Sequence, residues 1–352
     1  MRRPGPNLRS LARDLGLSAT TVSRALKDAP EVRPETRARV KEAATAQGYV
    51  PDTGGVYLRT GRTMKVCSVL YTPDVGDYGD GGFLAQVESL AEGLNSSSYH
   101  LVVVTETGAE TPLDPIRRVF DQHLADAVMF ARTTPDDARV RHCQERAVPF
   151  VTFGRTELPT PHAFVDHDDE AAVYDATSRL LRAGHRRIAF FNTPGALTYL
   201  GLRRRGYERA LRDADVALDP TLIRMAGPTV AGHRVAVGQI FTEDPGVTAL
   251  IGTNQQTVVG LLEGVLASGR DTVLDGIELV GFGGMPVHIL SDQRVAFYFQ
   301  PQQRVGAILA SHVLALLDGA DPAALQTVLP YRRIDDVAEF RRVDRPSALA
   351  AS

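Results

Sequence analysis

Apolar positions in the first fifty residues recur at helical spacing, in three short runs separated by turn residues. Leu8, Leu11, Ala12 and Leu15 share one helix face. Gly16 ends that run, since glycine adopts the left-handed backbone that closes a helix without steric cost. Ser18 has the hydroxyl of an N-cap, and Val22, Ala25 and Leu26 form the inner face of a second helix, 19–26. Pro34 suits the first turn of a third helix, whose stripe is Val40, Ala43 and Ala44 and whose C-cap is Gly48. After residue 62 the pattern changes to short β-rich runs alternating with amphipathic stretches. Strands are expected at 65–71, 101–104, 127–130, 150–153, 187–191, 249–251, 278–281 and 296–299. Helices are expected at 83–97, 114–123, 136–146, 168–183, 199–214, 229–242, 256–267 and 301–317. Such alternation predicts parallel sheets with helices on both faces. About 290 residues is large for one sheet, so two α/β lobes are expected, with a ligand cleft between them at the carboxyl ends of the strands.

Two helices joined by a glycine-containing turn make a helix-turn-helix, and charge supports a role for it. Net charge over all 352 residues is only −3. Residues 1–62 nevertheless hold 12 Lys and Arg against 6 acids, which leaves −9 on the remainder. A basic head on an acidic body points to a polyanion partner for the head, although a solvated basic surface has the same composition. The second helix presents Ala19, Thr20, Thr21, Ser23, Arg24 and Lys27. Short hydroxyl and alkyl groups reach base edges and thymine methyls in a major groove, and Arg24 is suited to grip guanine bidentately. Asn7, Ser18 and Thr36 lie where polar groups hold phosphates, and Tyr49 completes the candidate DNA-contacting set.

Cys67 and Cys143 are far apart and flanked by apolar residues, as buried free thiols in a reducing compartment would be. No metal-ligand spacing occurs, no apolar run follows Arg2 and Arg3, and no stretch approaches the ~20 apolar residues of a membrane helix. A cytoplasmic protein without cofactor or metal is expected.

The strings "SLARDLGLSATTVSRAL", "EVRPETRARV" and "GYVPD" closely resemble the headpiece of the lac repressor (LacI/GalR) family of transcription regulators. The resemblance continues through "RLLRAGHRRIAFFNTP", "RRRGYERAL", "LIGTNQQTVVGLLEGV" and "ELVGFGGMP". It implies a headpiece at 1–50, a hinge at 51–62 and a core at 63–352 that resembles periplasmic sugar-binding proteins and crosses between lobes three times. On that pattern lobe one is about 63–161 plus 293–325, and lobe two about 162–292 plus 326–352. It also implies a homodimer, probing a pseudo-palindromic operator and answering to a small effector, usually a carbohydrate. In the family the hinge becomes helical on DNA and a leucine wedges into the minor groove. Leu58 has that leucine's place, although Gly54 and Gly55 stand where helix formers are usual and each costs about 1 kcal/mol in a helix relative to Ala.

Carried over by motif, the implied effector contacts are Arg155, Arg203 and Asn254. Arg203 has a rival reading as a surface helix arginine, because Arg204 and Arg205 lie beside it. The family's acids are missing at Gly154, Gln255 and Gly283, which leaves open a non-sugar ligand, a larger oligosaccharide, or contacts from other residues, such as Tyr71, Asp74, Tyr298 and Gln300. "PFVTFGRTE" and "FVDHDDEAA" resemble a branch that senses plant or α-linked oligosaccharides. An enzyme would need an assembled acid, base or nucleophile, and no G-x-S-x-G, Walker loop or zinc spacing is present. Two classes therefore fit: a ligand-responsive DNA-binding regulator, expected to act as a repressor, and a sugar-binding module without a DNA role. The basic head favours the first.

Overall fold

The computed structural model describes residues 7–26, 28–49, 61–71, 81–95, 97–106, 110–227, 229–270, 275–283 and 295–334, with backbone only at 71 and 81–83. The chain forms two compact units, Met1–Met64 and Lys65–Ser352. The first holds α1 (Leu8–Asp14), α2 (Ala19–Leu26) and α3 (Pro34–Gln47). Asn7 starts α1 through a capping box: its Oδ1 accepts from the Ser10 N–H at 2.9 Å, and the Asn7 N–H donates to Ser10 Oγ at 2.9 Å. Gly16, at φ +65°, turns the chain into α2, where the Thr21 N–H donates to Ser18 Oγ at 3.0 Å. Gly48, at φ +62°, closes α3. Leu11, Ala12, Val22, Ala25, Val32, Val40 and Ala44 make the small core. This is the helix-turn-helix that the apolar spacing predicts.

The second unit contains two sheets. The first is built from β1 (Lys65–Tyr71), β2 (His100–Glu106), β3 (Ala127–Ala131), β4 (Phe150–Phe153), β5 (Ala163–His167) and β11 (Gln326–Leu329), in the order β11-β5-β4-β3-β1-β2. All its pairings are parallel. The second contains β6 (Ile188–Asn192), β7 (Ile223–Met225), β8 (Ala249–Gly252), β9 (Glu278–Gly283), β10 (Val295–Phe299) and β12 (Arg332–Ile334), in the order β12-β10-β9-β8-β6-β7. Only β12 runs antiparallel, against β10. The intervening helices are α4 (Gly81–Leu94), α5 (Asp114–Asp121), α6 (Ala138–Glu145), α7 (Asp169–Arg182), α8 (Thr198–Asp213), α9 (Val230–Glu243), α10 (Gln255–Ala267) and α11 (Gln302–Leu317). Both faces of the second sheet carry buried cores, Phe191, Leu250 and Phe297 lying in one and Phe190, Tyr207 and Phe282 in the other.

The chain crosses between the sheets three times, after His167, Phe299 and Leu329. These crossings correct the lobe limits read from the sequence. Residues 163–167 pair with β4 and stay in lobe one, since "AFVDH" is a strand with a polar end. Residues 295–299 pair with β9 in lobe two, and 326–329 return to β5 in lobe one.

Gly206 lets α8 lie directly on α7. A Cβ there would run into the Glu170 carbonyl oxygen and stand 3.0 Å from the Tyr174 nitrogen, both backbone atoms. Gly206→Ala is expected to destabilise the core by about 1–3 kcal/mol through overpacking, read as a lower urea midpoint. An unchanged midpoint would contradict the close packing.

Candidate functional site

On the headpiece, Thr20 and Arg24 are exposed on α2, while Ala19, Thr21 and Ser23 are half-buried. Arg24 Nε lies 3.7 Å from Glu31 with 58% of its side chain exposed, an ion pair of little energetic weight that leaves the guanidinium accessible. Thr21 is tied back to Ser18, their hydroxyl oxygens 2.8 Å apart, and Ser18 and Asn7 serve as helix caps. Thr36 is half-buried on α3, and Tyr49 packs against the small core. Several basic residues of α3 serve the fold itself. Lys41 Nζ sits 2.7 Å from Asp28 Oδ2, Arg37 donates to the Asp28 carbonyl at 3.0 Å, and Arg39 donates to the Leu15 carbonyl at 3.0 Å. The basic surface of α2 therefore stands beside a braced α3. Lys27 and Leu58, with residues 51–60 of the expected hinge, lie outside the described residues.

In the core, polar side chains gather at the carboxyl ends of the strands, where α/β sheets bind ligands. Arg203, on α8, is 4% exposed. Its Nε donates to Asp169 Oδ1 at 2.6 Å, Nη1 donates to the Thr253 carbonyl, and Nη2 donates to the Tyr331 hydroxyl at 2.6 Å. Its guanidinium carbon lies 4.8 Å from the Tyr199 ring centre and 5.4 Å from that of Phe282. Burial works against the charge, but Asp169 and the surrounding hydroxyls outweigh it and raise the Arg203 pKa. The surface-arginine reading is thus excluded, and each guanidinium nitrogen already has a protein partner.

The Tyr331 hydroxyl donates to Asp169 Oδ1 at 2.6 Å and accepts from Arg203 and from Gln300 Nε2, the last at 2.5 Å. One donor and two acceptor sites are all a phenol has, so this hydroxyl is saturated. Asp169, Gln300 and Tyr331 follow the first, second and third crossovers, so one hydroxyl joins all three.

Arg155, after β4, donates from Nε to Asp166 Oδ2 at 2.5 Å and from Nη2 to the His167 carbonyl at 2.9 Å, with 27% of its side chain exposed. Burial, and the nearby Asp169, raise the Asp166 pKa against the pull of Arg155. Gly154 could not carry the family's acid without strain. It has φ +112°, and a Cβ would stand 2.6 Å from Thr133 Oγ1. Asn254 caps α10: its Oδ1 accepts from the Thr257 N–H at 2.8 Å and its Nδ2 donates to Thr193 Oγ1 at 3.3 Å. Tyr298 points elsewhere, donating to Asp175 Oδ2 at 2.6 Å. Tyr71 ends β1 with its side chain outside the described residues, and Asp74 lies wholly outside them.

The cleft is bridged by the Thr198 N–H, which donates to the Thr133 carbonyl at 2.9 Å, and by Arg205 Nη1, 3.3 Å from Glu157. Asp166, His167, Asp169, Tyr331, Thr133 and Thr198 were not singled out by motif. The signal available for the first three was "VDHDD", an unusual density of ionisable groups directly after an apolar run. Aromatic faces beside fixed donors and acceptors are the chemistry that holds polyhydroxylated ligands. Among the described residues no three His, Cys, Asp or Glu side chains are set to hold a metal ion, and no helix is long and apolar enough to cross a membrane.

Known proteins share both units. Residues 7–52 match the model of bacterial regulatory proteins of the lacI family, and residues 65–333 that of periplasmic binding proteins and the sugar binding domain of the LacI family. The HTH-type transcriptional regulator RafR of Escherichia coli is 30% identical over 321 residues, 91% of this chain and 94% of that protein. The HTH-type transcriptional regulator AglR of Rhizobium meliloti is 36% identical over 276 residues, 76% of each chain. The solved complex of the transcriptional regulator CelR with cellobiose superposes with a TM-score of 0.68 at 25% identity, covering 94% of this chain and 98% of that one. A helix-turn-helix joined to a two-lobed binding-protein core defines a ligand-responsive DNA-binding regulator. The chain belongs to the LacI family of bacterial regulatory proteins.

Proposed function

We propose that the protein is a homodimeric repressor whose α2 helices read a pseudo-palindromic operator and whose cleft binds a carbohydrate effector. The observation that carries this reading is the pairing of an exposed Arg24 on α2 with a cleft lined by fixed polar groups and aromatic faces. Two headpieces related by a two-fold axis fit half-sites about one helical turn apart. Arg24, Thr20, Ser23 and Lys27 meet the bases; Asn7, Ser18, Thr21, Thr36 and Tyr49 steady the backbone; Leu58 enters the minor groove. In the cleft Arg155, Asn254, Gln300, Tyr71 and Asp74 contact the effector, and Arg203 shapes the floor beneath it. The effector changes the lobe geometry and thereby the presentation of the headpieces, which couples the two sites reciprocally. The ligand is released unaltered, as a regulator requires, and the protein acts in the cytoplasm beside the DNA. The relative solved with cellobiose favours a di- or oligosaccharide.

Heparin retention of the full chain is expected to fall steeply with salt and to vanish for residues 63–352. Thermal melting of that fragment with cellobiose, maltose and melibiose tests the cleft. A ligand at a hundred times its Kd adds about 2.7 kcal/mol to stability. Heparin retention by the fragment would remove the DNA assignment. Stabilisation by none of the sugars would remove the carbohydrate assignment.

A further inference from the structure

His167 closes β5 at the first crossover and is 1% exposed. Both of its ring nitrogens are buried, and neither has a hydrogen-bond partner among the described residues. Its backbone is well anchored: the N–H donates to Asp166 Oδ1 at 2.8 Å, and the carbonyl accepts from Arg155 Nη2. The ring lies 5.7 Å from Phe153, edge to face, and 5.1 Å from Tyr331. Tyr331 also meets Phe282 of lobe two, edge to face at 5.7 Å. The imidazole therefore stands where the lobes meet, among groups whose hydrogen bonds are already made.

Buried polar atoms in folded proteins are almost always paired, so an imidazole with two unmet nitrogens has a cause outside packing. An aromatic hydrocarbon of the same outline would fill the site between Phe153 and Tyr331 at lower cost. We propose that His167 is a hydrogen-bonding contact for a hydroxyl of the effector, held at the cleft floor for recognition and not for stability. This rests on the reading of the cleft as an effector site. A neutral imidazole offers one donor and one acceptor, which matches a hydroxyl in either orientation. Burial, reinforced by the Arg203 charge, lowers its pKa to about 3 and keeps it in that neutral form.

His167→Phe separates the two roles. In the full chain without sugar its melting temperature should be unchanged or raised. Affinity for the sugar that most stabilises the wild type, cellobiose being the first probe, should fall at least tenfold. His167→Gln, which restores a donor and an acceptor, should recover part of that affinity. A lower melting temperature for His167→Phe would make the histidine a packing group and overturn the proposal. So would a normal melting temperature with undiminished sugar affinity. If no sugar stabilises the wild type, the carbohydrate reading fails by itself. The melting temperature of His167→Phe without sugar then still decides whether the imidazole is kept at the expense of stability.

Discussion

Arg203→Met is expected to lower the stability of the core by about 3–5 kcal/mol, because it leaves the Asp169 carboxylate buried beside the cleft without its cation. The loss is that large because the ion pair is enclosed: the two side chains are only 5% and 3% exposed. The same change removes donors from the Thr253 carbonyl and the Tyr331 hydroxyl. A surface arginine such as Arg204, paired with Glu208 and half exposed, should cost less than about 1 kcal/mol on the same replacement. Replacing both partners, Arg203→Met with Asp169→Leu, should recover much of the loss, since no buried charge is then stranded. The chain has no tryptophan, so urea unfolding is best followed by far-UV circular dichroism. A single-variant loss below about 1 kcal/mol would show that Asp169 is not held by this arginine.

Arg24→Ala acts on the other unit and should leave stability untouched while removing operator specificity. The guanidinium is exposed, and its 3.7 Å approach to Glu31 contributes little to folding. A bidentate arginine–guanine contact discriminates against the wrong base by about 1–3 kcal/mol, roughly a tenfold to hundredfold ratio. A dimer loses that contact twice. The measurement is the ratio of affinities for operator and random duplex at one salt concentration. Salt dependence should change only slightly, because phosphate contacts remain. A variant that still discriminates as the wild type does would take α2 out of the major groove.

The headpiece was legible almost to the residue because its signals are local. Ser18, Gly16, Pro34 and Gly48 act within one helical turn of themselves, and the structure uses each as the expected cap or turn, while Asn7, read only as a phosphate contact, also caps α1. The alternation of strands and helices in the core was legible for the same reason. The lobe limits were not, because they depend on which distant strand a short run joins. β5, β11 and β12 have three to five residues each and carry no periodicity of their own. The partner of Arg155 illustrates the difference. The sequence shows only that position 154 lacks the family's acid; the acid that holds Arg155 is Asp166, on the strand that pairs with β4. Arg203 was likewise found by motif, whereas its enclosure by Asp169 and Tyr331 depends on segments 34 and 128 residues away.

The threefold crossing also dictates an order of events during synthesis. The three helices of the headpiece contain all their own core partners before residue 50 has been made. Lobe one, by contrast, lacks its edge strand until Gln326–Leu329 appears, and lobe two lacks its own until Arg332–Ile334. Domains generally fold as units from the N-terminus as the chain emerges. The nascent protein therefore carries a finished DNA-reading head while the core is still being made, well before it has a core able to sense anything.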